Sequence, residues 1–260
     1  MDIIEAIVLG IIQGMTEFLP VSSSGHLEIG KYIFGVDADS SFAFSVAVHG
    51  ATVLSTIVVF RHEIIKLLKG ASQFRYNDET RYILKILVSL IPVMIVGFAF
   101  KEKVEGYFDG NISFVGFMLI VTAMLLIFSS IIRKANREIN YLDAFVIGIA
   151  QAFAVLPGIS RSGATISTGL ALGNSPAGMA RFSFLMVLIP VIGANLVELL
   201  DGGFGAAAEI SVGAIITGFV AAFISGYIAC RWMIKLVQKG RLYWFGIYCL
   251  ILGIIVIVFT

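Results

Sequence analysis

Residues 13–30 read QGMTEFLPVSSSGHLEIG, and residues 157–165 read PGISRSGAT. Both stretches set Pro, Gly, Ser and ionisable side chains in the middle of runs that are otherwise apolar. A helix does not pass smoothly through such a sequence. The flanks, about residues 3–36 and 141–174, are still apolar enough to enter a bilayer. Each stretch therefore predicts a re-entrant hairpin: helix, irregular turn at membrane depth, helix. Non-helical backbone is tolerated there only where protein buries it or it lines a wet cavity. The polar residues of both turns accordingly face a cavity, not lipid.

The rest of the chain agrees with a membrane setting. Of its 260 residues 58% are hydrophobic and 13% charged, and the mean hydropathy is +0.98, far from the composition of soluble domains. Six further apolar runs reach the roughly 20 residues that cross a hydrocarbon core: Phe42 to Phe60, Tyr82 to Phe100, Ile112 to Ile132, Phe182 to Leu200, Ile210 to Cys230, and Leu242 to Phe259. The expected fold is all-α and polytopic, a single integral-membrane domain over 1–260. The N-terminus starts acidic and lacks a basic region, so the first segment is expected to be retained rather than cleaved. A net charge of +1 gives no reason to expect nucleic acid. Cys230 and Cys249 lie in apolar segments without metal or disulfide spacing and read as packing residues.

Loop charges predict the orientation, because short loops rich in Lys and Arg stay cytoplasmic. The loops carrying Arg61, Lys66, Lys69, Arg75 and Arg81, then Arg133, Lys134 and Arg137, then Arg231, Lys235, Lys239 and Arg241 are assigned to that side. Lys101 to Asn111 and Asp201 to Glu209 are then external.

Shifting the chain on itself by 138 residues aligns Gly10 with Gly148, Gln13 with Gln151, Ser22 with Ser160, Ser24 with Ser162, Gly25 with Gly163, and Phe44-Ser45 with Phe182-Ser183. The repeat halves are 1–138 and 139–260, each a hairpin followed by three transmembrane helices. An odd number of crossings turns the second half upside down, giving an inverted-topology repeat of about ten helices whose two turns meet near the midplane.

The two turns differ where chemistry would differ. Ser23 aligns with Arg161, His26 with Ala164, and Glu17 with Val155. A Ser with a nearby His is the minimum set for assisted nucleophilic attack. Arg161 offers a planar fork of donors suited to phosphate oxygens. Glu17 with the Gln13 amide, at i and i+4 on one helix face, presents hard oxygen ligands of the kind Mg²⁺ or Ca²⁺ accepts, the remainder coming from substrate phosphates and water. Gly25 and Gly163 let backbone amides approach an anion, and Ser22, Ser24, Ser160, Ser162 and Thr165 add hydroxyl donors. A Ser-rich turn before a helix also serves as a plain cap. His49 and Asn195 read as hydrogen-bonded packing residues, Glu198 as interfacial and His62 as solvated.

With these residues assembled, the chain resembles the undecaprenyl-diphosphate phosphatase family, also called bacitracin-resistance proteins. Two motifs carry the resemblance: QGMTEF followed by PVSSSGHL, and PGISRSGAT. It implies that the acidic motif falls on Gln13 and Glu17, the serine-histidine pair on Ser23 and His26, and the essential arginine on Arg161. It further implies hydrolysis of undecaprenyl diphosphate to the monophosphate and inorganic phosphate with a divalent cation, recycling the lipid carrier of cell-wall synthesis. The implied setting is the bacterial plasma membrane, among membrane lipids, with a polyprenyl diphosphate as partner, an outward-opening site, and room for a homodimer. Many family members have Glu where this chain has Gln13, which shifts weight onto Glu17. Attack by Ser23 with His26 as base, and attack by water activated by His26 or Glu17, are both open at this stage. A transporter or flippase is the rival reading of inverted repeats with broken helices. The unrelated acid-phosphatase-like lipid phosphatases share S-G-H but not their remaining motifs.

Overall fold

A computed structural model of the chain describes residues 1–35, 38–100, 111–132, 136–200 and 211–260. In chain order the helices are α1 (Ile3–Phe18), α2 (Ser23–Phe34), α3 (Ala38–Val59), α4 (Arg61–Ala71), α5 (Asp78–Ala99), α6 (Ile112–Ile131), α7 (Tyr141–Phe153), α8 (Arg161–Ala171), α9 (Pro176–Met186), α10 (Leu188–Leu200), α11 (Val212–Lys239) and α12 (Tyr243–Phe259). Among the described residues there is no strand.

Local sequence explains the hairpin boundaries. Helix α1 starts in a capping box: the Glu5 amide donates to the Asp2 carboxylate and the Asp2 amide to Glu5, both at 2.7 Å. It stops at Leu19, which is held extended ahead of Pro20. Helix α2 ends at Gly35 in the left-handed region, φ 63°. Asn140 and Asp143 form the corresponding box ahead of α7. The starts of α1, α2 and α3 at residues 3, 23 and 38 recur 138 positions later, at 141, 161 and 176. Both stretches therefore fold as helix, turn, helix, with the breaks at the quoted turns.

All six predicted runs fall on helices. Among the described residues four helical stretches have at least 18 residues and are apolar enough to cross a membrane: Asp78–Ala99, Ile112–Ile131, Pro176–Val197 and Val212–Lys239. The run expected over Phe42 to Phe60 is α3, which bends by 74° into α4 where that run ends, and α12, with 17 residues, is at the short end of the spanning range. Helix α9 begins six residues before the expected Phe182 because Ser175 caps it, accepting from the Gly178 amide at 3.2 Å, and Pro176 suits its first turn. Helix α11 runs through the basic stretch after Cys230 to Gly240, since nothing in Arg231–Lys239 breaks a helix. The first half of the expected loop Arg61 to Arg81 is α4, an amphipathic helix with Leu67 buried and Lys66 and Lys69 exposed. The predicted external loops fall at 101–110 and 201–210, outside the described residues, as do 133–135 and the side chain of Glu198.

Packing crosses between the halves. Helix α1 lies along α11, α7 along α5, and α6 along α12. Small residues make this possible: a Cβ at Gly10 would overlap the Gly218 carbonyl oxygen, one at Gly14 the Ala222 carbonyl, and one at Gly148 the Ser89 carbonyl. Gly10 and Gly148 are repeat partners, so the two hairpins dock by the same device on different helices.

Gly10→Ala and Gly148→Ala should each destabilise the protein by about 1–3 kcal/mol, the range for overpacking. Gly97→Ala, whose Cβ would meet nothing within 4 Å, should be neutral or slightly stabilising. Thermal unfolding in detergent reads the difference; equal midpoints for all three would contradict the close-approach account.

Candidate functional site

Around turn one, two polar side chains converge on one carboxylate. Gln13 and Glu17 share a face of α1, and Gln13 Nε2 donates to Glu17 Oε2 at 2.9 Å. The chain leaves α1 at Leu19 and re-enters helix at Ser23, whose Oγ donates to the same Oε2 at 2.6 Å. Between them Ser22 sits at φ 70°, a left-handed conformation rare for a residue with a side chain. That conformation lets Ser22 cap α2, its Oγ accepting from the Gly25 amide at 3.3 Å. Its carbonyl then receives both the amide of His26 at 3.1 Å and Nδ1 of the same ring at 2.7 Å.

Turn two is clamped from α6. Thr122 Oγ1 donates to the Gly158 carbonyl and accepts from the Ser160 amide, each at 2.9 Å. Gly158 has φ +97°, and a Cβ there would overlap the Val115 carbonyl oxygen, so only glycine suits this point. Ser160 caps α8 through the Gly163 amide at 3.1 Å. Arg161 is the first residue of that helix.

The two turns meet. The Arg161 guanidinium pairs with Glu17 Oε1, the two side chains being 28% and 8% exposed. Ser162 Oγ donates to the Leu19 carbonyl at 3.3 Å, and a Cβ added to Gly25 would lie 3.1 Å from Gly158 Cα. Both α2 and α8 thus start at the junction, which gathers two positive helix ends around one carboxylate and one guanidinium. A cleft opens from this pair. Its lining mixes polar side chains, Glu17, Thr52, Thr56, Arg161, Ser162 and Ser183, with apolar ones, among them Phe18, Val53, Phe184 and Leu188.

The structure thus gathers Gln13, Glu17, Ser23 and Arg161 into one network. His26 is not part of it: Nδ1 is on the Ser22 carbonyl and Nε2 lies 2.8 Å from the hydroxyl of Tyr248. The partner of Ser23 is Glu17. Thr165 Oγ1 bonds Ser183 Oγ at 2.7 Å and the Arg161 carbonyl at 2.9 Å, bracing α8 from behind. Ser22 and Ser24 lie 3.3 Å apart, and Ser160 and Ser162 3.4 Å, so within each turn the hydroxyls engage each other as well as the caps. Sequence reasoning overlooked Tyr248, Thr122 and Ser183. Ser183 was detectable, because the repeat pairs it with Ser45. Thr122 and Tyr248 sit in uninterrupted apolar helices and carry no local signal.

Comparison with known proteins places these turns in context. The family model described as bacitracin resistance protein BacA matches residues 6–255. An undecaprenyl-diphosphatase of Christiangramia forsetii is 51% identical over 262 residues, covering 100% of this chain and 99% of that protein. One from Bacteroides fragilis is 50% identical, covering 99% and 98%. One from Methanobrevibacter smithii is 38% identical, covering 98% and 97%.

Removing one member of the buried pair strands the other charge, at a typical cost of about 3–5 kcal/mol, whereas removing both does not. Glu17→Ala and Arg161→Ala should therefore each lower the unfolding midpoint, and the double variant should recover part of the loss. Strictly additive losses would mean that the two charges do not hold each other.

Proposed function

The chain belongs to the bacitracin resistance protein BacA family, and from that premise we propose that it hydrolyses undecaprenyl diphosphate to undecaprenyl phosphate and inorganic phosphate. This recycles the lipid carrier of cell-wall synthesis and underlies bacitracin resistance. The observation that carries the reading is the shared carboxylate: Glu17 binds the guanidinium of one turn through Oε1 and the hydroxyl of the other through Oε2.

The residues suggest a sequence of steps. The diphosphate enters beside Arg161, whose fork of donors turns from Glu17 to phosphate oxygens. Both helix N-termini add favourable potential for the anion. Ser23 Oγ attacks the terminal phosphorus while its proton passes to Glu17 Oε2, which it already faces at 2.6 Å. The bond from phosphorus to the bridging oxygen breaks, and undecaprenyl phosphate leaves with that oxygen. Water then attacks the phosphoserine, its oxygen goes to inorganic phosphate, and Glu17 returns the proton to Ser23 Oγ. Charge neutralisation and positioning are the main contributions of the protein to such a transfer. Ser162 lines this pocket, while His26, Ser22, Ser24, Gly25, Ser160, Gly163 and Thr165 belong to the two turns and helix starts that shape it.

A divalent cation, Mg²⁺ or Ca²⁺, would be held by Glu17 and Gln13 and, for the larger part, by substrate phosphates. Gln13 suits this role: its Oε1 is buried and has no hydrogen-bond partner. When bound, the ion would neutralise phosphate charge.

The same reading has the halves in opposite orientation, the basic segments cytoplasmic, and the site opening to the external face of the bacterial plasma membrane. Phe74, 97% exposed beside α4, tests it. A Phe74→Cys protein in intact cells should resist impermeant thiol reagents until the membrane is permeabilised, and prompt labelling from outside would reverse the topology.

Purified protein should release phosphate from undecaprenyl diphosphate and lose most of this activity with chelator. Arg161→Ala and Glu17→Gln should cost about 100-fold or more in kcat, the scale set by removing one transition-state donor. Quenching with labelled substrate should trap phosphoserine at position 23. Unlabelled Ser23 under active turnover would transfer the attack to water, and wild-type turnover in both variants would remove the site from the reaction.

A further inference from the structure

Tyr248 reaches turn one from the last helix of the chain. Its hydroxyl lies 2.8 Å from His26 Nε2, and the two rings stack with centroids 5.6 Å apart and planes 15° off parallel. Helix α12 is well fixed for this purpose: a Cβ at Gly253 would lie 2.7 Å from the Gly116 carbonyl oxygen, and one at Gly246 would lie 2.8 Å from Ile127 Cγ1, so α12 is seated directly on α6. The same α6 clamps turn two through Thr122. Cys249, next to Tyr248, packs on turn one with its sulfur 3.9 Å from the Pro20 carbonyl.

The hydrogen bonds determine which ring nitrogen holds the proton. The Ser22 carbonyl can only accept, so Nδ1, 2.7 Å away, carries a hydrogen. In the neutral ring Nε2 then has a lone pair, and the hydroxyl of Tyr248 donates to it. Should the ring gain a second proton, the same hydroxyl can rotate and accept, since a phenol serves either way. Neither nitrogen is left for Ser23, whose hydroxyl is on Glu17.

We propose that Tyr248 is a positioning residue of the phosphatase site: with Nδ1–H already on the Ser22 carbonyl, it holds Nε2 of the His26 ring on the phenol and off Ser23, so that Glu17 alone takes the serine proton. This rests on the function proposed above. Stacking fixes the plane of the ring, the carbonyl of the strained Ser22 fixes one nitrogen, and the phenol fixes the other. Tyr248 acts through His26 and not on the reacting atoms.

The test separates hydroxyl from ring. Tyr248→Phe keeps the stack and removes only the hydrogen bond. We expect kcat for phosphate release to fall about tenfold, below the 10²–10⁴ of a full proton-transfer group, with KM within about twofold and an unchanged unfolding midpoint. In a His26→Ala background, Tyr248→Phe should have no further effect, because the two act as one unit. An undiminished kcat in Tyr248→Phe, or losses that multiply in the double variant, would overturn the proposal. Nitrogen-15 NMR of labelled histidines in the wild-type protein adds a readout independent of turnover. The His26 resonance, assigned with His26→Ala, should report hydrogen on Nδ1 and an accepting Nε2, and the Nε2–H neutral form would refute it even if the phenylalanine variant failed to fold. Absence of phosphate release by the wild type would count against the phosphatase reading; the Nε2 resonance would then decide the role of Tyr248, a shift in Tyr248→Phe supporting it and an unchanged resonance overturning it.

Discussion

A guanidinium and a carboxylate withdrawn from water inside an apolar protein are each other's main compensation. Neither Arg161 nor Glu17 could occupy its position alone, because an unpaired buried charge is far costlier than a pair with its hydrogen bonds complete. Their pairing joins residues 144 apart in sequence and requires two breaks in helix to sit within side-chain reach. The glycines at the junction, the Thr122 clamp and the Ser162 crosslink to the Leu19 carbonyl all serve that approach. The polar turns are kept together by the pair, and the pair is kept by the backbones that surround it.

The two turns resemble each other in their frame and differ in what they carry. The two hairpins share helix starts, serine caps and docking glycines at one spacing. They differ in what projects into the junction: a carboxylate and hydroxyl from one, a cation from the other. A symmetric pair of turns would set like against like. With Arg161 where the first turn has Ser23, and Val155 where it has Glu17, the guanidinium of one turn meets the carboxylate of the other.

Much of this was legible in the sequence. Pro20 and Gly158 mark breaks because one cannot donate and the other occupies a left-handed conformation, and the register of 138 follows from caps that any helix start needs. Other features escape for physical reasons. The helical course of Arg61–Ala71 and of Arg231–Lys239 is hidden when charge is read as loop, although straight-chain basic residues are good helix formers. The partner of His26 depends on the backbone angle of Ser22 and on a tyrosine 222 residues away. An aromatic side chain in an apolar helix looks the same whether it faces lipid or an imidazole. Bond partners of this kind are set by tertiary packing, and no local pattern encodes them.

The exchange of packing partners between the halves bears on biogenesis. Helix α1 lies along α11, whose first residue is Val212, so the hairpin bearing Glu17 and Ser23 leaves the ribosome long before its support exists. At about 5–20 residues per second, the interval is on the order of ten to forty seconds. During that time the nascent carboxylate has neither its arginine nor its helical neighbour. The insertion machinery or the aqueous interface has to shelter it, and maturation of the site waits for the last third of translation.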